Sequence, residues 1–385
     1  MSCFGEFTHR GPVRGAFGTG LRLGGRLDRY VAELFIGSYT VALLLVVGIF
    51  VIINLASNID EYLRPGPDGT TPSGLLVAKL YVYQTPFLFL EVAPFVTLVG
   101  GLFTASRLMK NREIVAGLAA GVSVRRSLLF VFLLGGLLGV GMFGFREWVA
   151  ESLGARRDAL IDYLVERRPE EVLENLWVKD PKGNPVRVEA FYPGTFGAAP
   201  RIDGLGATLR KGTSWTNVVA ASAVFDRAQN QWVLEAGSRE DVDGGAQTRE
   251  PLATLDGALF SPRDLRTAWK GRRHPTELSF AETLDLLRRD PDAVGWQTLL
   301  QANMAFPFAH LVLLFVGLPF LLGHERSKGP SGGLWVFFLC LCYFGTDFVC
   351  RSLGLQGQLD PLMAAWLPIL FFGSLGVVLF TSART

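Results

Sequence analysis

Residues 107–126 read RLMKNREIVAGLAAGVSVRR, and they separate two apolar runs that are each long enough to cross a bilayer. Written as a helix, the stretch puts Leu108, Val115, Leu118 and Val122 on one side and Lys110, Glu113, Gly117 and Gly121 on the other. Arg107, Lys110, Arg112, Arg125 and Arg126 make it strongly cationic, which by the positive-inside rule predicts a cytosolic loop. Ala116, Gly117, Ala119, Ala120 and Gly121 form a small-residue face that another protein's backbone can approach closely. Two readings stay open on composition: a docking helix for a cytosolic partner, and an interfacial helix lying on the inner leaflet.

Outward from this segment, six runs reach the roughly 20 residues that a membrane-crossing helix needs. They cover 34–56, 79–105, 127–148, 299–323, 334–355 and 362–382. With 49% hydrophobic residues and 29 phenylalanines in 385 positions, the chain is too apolar, and too unevenly so, for a soluble enzyme. Its net charge of +2 says little, because position decides topology. Arg10, Arg14, Arg22, Arg26 and Arg29 precede the first span, Arg326 and Lys328 follow the fourth, and Arg384 follows the sixth. Facing them across the membrane, the loop after the first span has Arg64 among Asp60, Glu61 and Asp68. Both termini are therefore expected in the cytosol. No apolar run precedes the Gly- and Arg-rich tail, so the first span is expected to be retained rather than cleaved.

The resulting plan is a basic tail over 1–29, three spans over 30–148 with a short cytosolic helix at about 107–121, an extracytoplasmic insertion over 149–295, and three spans over 296–385. The insertion opens on a charged, helix-prone stretch, 146–168. Short β-prone runs follow at 176–179, 185–192, 217–225, 231–235 and 252–255, with DRAQN at 226–230 reading as a hairpin turn. An all-β sandwich or barrel is expected, then a helix over 279–289 that opens on a Ser279/Glu282 capping box. Gly135 and Gly139 predict a close helix crossing. Pro86, Pro94, Pro307, Pro319 and Pro368 predict kinks inside spans.

No phosphate-binding loop of the G-x-x-x-x-G-K-[ST] form is present, so the chain is expected to hydrolyse no ATP itself. Metal-protease and serine-hydrolase motifs are absent as well. Cys340, Cys342 and Cys350 have neither zinc spacing nor disulfide geometry along one helix. No metal, nucleic acid or bound cofactor is expected. The ionisable residues within spans are Glu91, His310, Asp347 and Arg351. Each is costly in lipid and is expected to face a bundle interior, with Asp347 and Arg351 paired one helical turn apart. A proton relay from Glu91 to His310 is a second reading, and pairing with neighbouring helices is the plainer one.

Five segments, in order, carry a family resemblance: LDRYVAELFIGSYTVALLL, TPFLFLEVAPFVTLVGGL, NREIVAGLAAGVS, FPFAHLVLLFVGLPFLLG and LGLQGQLDPLMAAWLPILFFGSLGVVL. Together they resemble the YjgP/YjgQ permease family, LptF and LptG. The resemblance implies six transmembrane helices in a 3+3 plan with an inserted periplasmic β-jellyroll, in the inner membrane. It implies a lipopolysaccharide export permease that works with a second LptF- or LptG-like subunit, an LptB-like ATPase dimer, and LptC- and LptA-like periplasmic proteins. Arg112, Glu113, Ile114, Val115 and Gly121 then match the ATPase-coupling contact. LDRY, LWVKD and VFDRAQNQWVLEAG resemble LptG more than LptF. Where LptG-like chains carry a phosphate-binding lysine, this chain has Asn54, so Arg64, Lys79 and Arg351 become the headgroup candidates. An ATPase-driven mechanotransmitter and a membrane-anchored periplasmic scaffold are the alternatives.

Overall fold

The computed structural model describes residues 25–65, 71–161, 163–164, 172–194, 198–211, 214–243, 246–323 and 331–382. The basic tail through residue 24, Asp68, Arg168, the Arg326 and Lys328 loop, His324 and Arg384 lie outside the described residues. From the N-terminal side come α1 (Arg26–Tyr62), α2 (Gly74–Lys110), the short α3 (Glu113–Ala119) and α4 (Val124–Ile161). After an inserted β domain come α5 (Pro262–Arg273), α6 (Phe280–Arg289), α7 (Val294–Gly323), α8 (Ser331–Leu355) and α9 (Pro361–Ser382). Six of these, α1, α2, α4, α7, α8 and α9, are long and apolar enough to cross a membrane. The first three outrun their apolar cores: α4 has 38 residues, about 57 Å at the helical rise, against a hydrocarbon layer of about 30 Å.

Two boundaries move. The helix expected over 107–121 is only Glu113–Ala119, because Arg107–Lys110 completes α2 and Arg112 takes a left-handed conformation (φ 58°) that breaks the chain between the two. The charged stretch expected to open the insertion at 149 is the continuation of α4 to Ile161. Polar residues there carry the helix out of the apolar layer, and a hydropathy run ends before the helix does.

Small residues set the helix packing. A Cβ on Gly139 would stand 2.5 Å from the Pro307 carbonyl oxygen, and one on Gly135 would meet Leu314 at 2.4 Å. The expected glycine pair is thus where α4 lies against α7. Gly100 does the same for α1, with Tyr39 Cα 3.0 Å from where its Cβ would be. The five prolines all sit inside continuous helices.

The insertion holds β1 (Leu173–Lys179), β2 (Pro185–Tyr192), β3 (Arg201–Lys211), β4 (Ser214–Asp226), β5 (Gln231–Glu235), β6 (Ser238–Asp243), β7 (Ala246–Pro251) and β8 (Thr254–Asp256). All pair antiparallel in one sheet. The long β4 pairs β3 along one edge and shares the other between β5 and β6, which keep a single register across their break. β7 pairs β6 and β8 pairs β5, so the order is a meander in which each long strand lies beside its predecessor. One face buries Leu176, Val188, Ile202, Val218 and Trp232, and Leu265 of α5 closes over it. At 226–230 the expected turn is present, with Asp226 Oδ1 accepting from Ala228 N at 2.8 Å.

One line crosses this sheet at right angles to its strands. Asn175, Glu189, Gly204, Ala221 and Ala236 stand in one row by register, and the pairings between them are missing from otherwise continuous ladders. Asn175 in β1, Gly204 in β3 and Ala236 in the break between β5 and β6 have φ of 53°, 69° and 53°. Left-handed residues inside strands sharpen twist and bend, so the sheet is creased along this row.

Two short helices fasten the sheet to the bundle. Each opens on a reciprocal capping box, Ser261 with Asp264 and Ser279 with Glu282. Buried Lys270 of α5 pairs with Glu282 of α6 at 2.8 Å, and Lys179 of β1 reaches Asp290 at 2.8 Å. The α6 N-terminus is also held by Glu147 of α4, whose carboxylate accepts from the Phe280 and Ala281 amides.

Candidate functional site

Near the β domain, α2, α4, α7 and α8 enclose a cavity of about 620 Å³. Apolar walls come from Phe87, Phe306, Phe344 and Phe348, and the polar lining from Glu91, Arg146, Arg157, Glu277, Asp347 and Arg351. Arg351 Nη2 lies 2.9 Å from Asp347 Oδ2, the expected one-turn pair. Arg157, 4% exposed, is the centre of a larger cluster: it bonds Asp158 at 2.8 Å, bonds Glu277, and lies 4.1 Å above the Phe87 ring. Arg146 donates to the Thr276 carbonyl and faces the Phe306 ring. The cavity thus offers arginines already held in place, each with a partner to give up before an incoming anion can use it fully.

The other expected residues fall outside it. His310 is fully buried among α7's neighbours; neither ring nitrogen has a hydrogen-bond partner among the described residues, so no bond links it to Glu91. Asn54 accepts from Tyr81 Oη at 2.8 Å and holds α1 to α2. Arg64 follows the end of α1 and Lys79 lies in the second turn of α2, both exposed and neither lining the cavity. Arg146 and Arg157 are the residues that sequence reasoning missed. They are eleven apart, about three turns, and hence on one face of α4; that spacing beyond an apolar run was the available signal.

The second site is α3, at the end of α2 and α4 opposite the β domain. None of its residues is buried. Val115 is 61% exposed and Leu118 also lies open, while Ile114 packs against the cluster that includes Val31, Leu108 and Leu128. Gly121 (φ 81°) closes the helix in a Schellman motif: its amide bonds the Leu118 carbonyl at 3.0 Å, and the Val122 amide bonds that of Gly117 at 2.8 Å. Gly121 is therefore a stop. Arg112 sets the entrance and Glu113 opens the first turn, its Oε1 accepting from Tyr30 Oη at 2.9 Å and Asn111 Nδ2 at 3.1 Å.

A bundle of six apolar helices with a β domain at one end, a polar cavity beneath that domain and a bare short helix at the far end defines the chain as a multi-pass membrane protein. No individual curated protein matches the chain. A family model does, over residues 29–382: the chain belongs to the lipopolysaccharide export system permease LptF/LptG family.

Proposed function

We propose that the chain is one transmembrane half of a lipopolysaccharide exporter driven by a separate LptB-like ATPase, with α3 as the ATPase-facing element. The observation that carries the reading is α3, a seven-residue helix with no buried residue, fixed at both ends by backbone turns. In this reading the cationic segment around it lies in the cytosol, together with both termini, and the β domain lies in the periplasm. A rigid helix seated in a partner's groove passes the partner's motion to α2 and α4. Arg112, Glu113 and Val115 supply the contact surface, Ile114 anchors it, and Gly121 ends it.

The rest of the assembly in this reading is a second LptF- or LptG-like subunit and LptC- and LptA-like periplasmic carriers, with this chain the LptG-like half. Acyl chains lie against the exposed apolar faces of α1 (Ile36, Leu44, Ile52) and α8 (Leu341, Phe348). Headgroup phosphate meets the cavity arginines, where Arg351 exchanges Asp347 for the phosphate; Arg64 and Lys79 stand at the outer rim.

Glu113→Ala is expected to reduce ATP-coupled export roughly tenfold or more, the loss of one charge-assisted contact, with normal membrane insertion. Wild-type export by that variant refutes the coupling role. Photocrosslinking of lipopolysaccharide to α1 and α8 is expected. A mechanotransmitter, favoured by the ties of Arg157 and Glu147 between α4 and the β domain, gives none.

A further inference from the structure

The inner end of α1, the end beside α3, is fixed by two polar links, one to the first turn of α4 and one to the head of α3. Asp28, 2% exposed, pairs with Arg126 Nη1 at 2.7 Å and also accepts from the Gly25 amide at 3.1 Å. That buried pair is a structural pin. Tyr30 is different: it is 41% exposed, and its hydroxyl bonds Glu113, the residue at the head of α3.

The Glu113 carboxylate is divided between its two oxygens. Oε1 accepts from both Tyr30 Oη and Asn111 Nδ2, whereas no hydrogen bond to Oε2 is made by any described residue. An incoming donor therefore has an oxygen to take without displacing Tyr30, and any pull it exerts on the carboxylate reaches Tyr30 through the shared group. Tyr30 stands on the span least enclosed by the rest of the bundle, with 11% of its apolar window buried. Beyond the inner end, α1 follows α2 through the crossing at Gly100, the Asn54–Tyr81 bond and the packing of Tyr62 on Tyr81, so a displacement at Tyr30 is passed along a continuous helix.

We infer that Tyr30 is a positioning residue that ties Glu113 to α1, so that ATPase docking acts on α1 directly as well as through α2 and α4. The inference rests on the reading of α3 given above. It assigns the Tyr30–Glu113 bond a role in coupling, beyond holding the fold.

The test uses the whole complex in proteoliposomes, with lipopolysaccharide delivered to an acceptor and phosphate released measured together. Tyr30→Phe removes one hydroxyl. It is expected to leave complex recovery and ATP hydrolysis within twofold of wild type, and to lower lipid delivered per ATP by roughly three- to tenfold, the worth of one hydrogen bond to a charged group. Asn111→Ala is the control: it removes the other donor to the same oxygen without severing α1, and the ratio should hold. A wild-type ratio in Tyr30→Phe overturns the inference. An equal fall in Asn111→Ala also does, since Glu113 orientation would then explain both, and so does loss of complex recovery in Tyr30→Phe, which would mark an assembly role. Failure of the α3 reading itself is separate: Glu113→Ala would then assemble and export as wild type.

Discussion

Arg157 shows what one buried charge asks of its surroundings. It is enclosed by Asp158, Glu277 and the Phe87 face, and through Glu277 it joins the end of α4 to the 3-10 turn Pro275–Glu277 that precedes α6. Arg157→Met leaves two carboxylates without their cation, and the expected loss is about 3–5 kcal/mol, read as a lower unfolding midpoint in detergent. Adding Glu277→Met should recover part of it; an unchanged midpoint in the single variant would contradict the pairing. The Asp347–Arg351 pair was legible in the sequence because its members are one turn apart on one helix. Arg157 and Glu277 were not, since 120 positions separate them and only the return of the chain brings them together. The bond between Tyr30 and Glu113, 83 positions apart, was hidden for the same reason, although Glu113 itself was singled out.

Helices and strands differed in how openly they announced themselves. Spans were legible because lipid demands long unbroken apolar runs, and the Ser279 cap because its partner lies three residues on. The SPRD sequence at 261–264 carries the same signal for α5. Strands β3, β6 and β7 were missed: RIDGLGATLRK is broken by two glycines, and SREDVD and AQTREP lack apolar alternation. Pairing to β2, β4 and each other makes them strands, which is tertiary information. Glycine pairs in span three were legible as a crossing, though not the partner. At that crossing Gly139→Ala forces a methyl against the Pro307 backbone, with an expected loss of about 1–3 kcal/mol. Gly141→Ala, with open space around it, should be neutral or stabilising by up to about 1 kcal/mol. Equal midpoints for the two variants would argue against the packing.

At the scale of the whole chain, α3 and the β domain sit at opposite ends of helices about 55 Å long, and the proposed function sets one membrane between them. A single cysteine at Ser123, beside α3, is expected to react with an impermeant thiol reagent only from the cytosolic side. One at Trp177, on the exposed face of β1, should react only from the other. Labelling of both from the same side would break the topology. Between these ends the connection is unbroken: β1 holds α6 through Lys179 and Asp290, α6 is capped by Glu147 of α4, and α4 returns to α3. The crease in the sheet limits how its strands can change length. Deleting one residue from β3 ahead of Gly204 would push that glycine out of line with Glu189 and Ala221 and turn the intervening side chains inside out. The row is in effect a ruler laid across the strands: growth and shrinkage are tolerated at the hairpin tips, while the distance from each tip to the row can change only in neighbouring strands together.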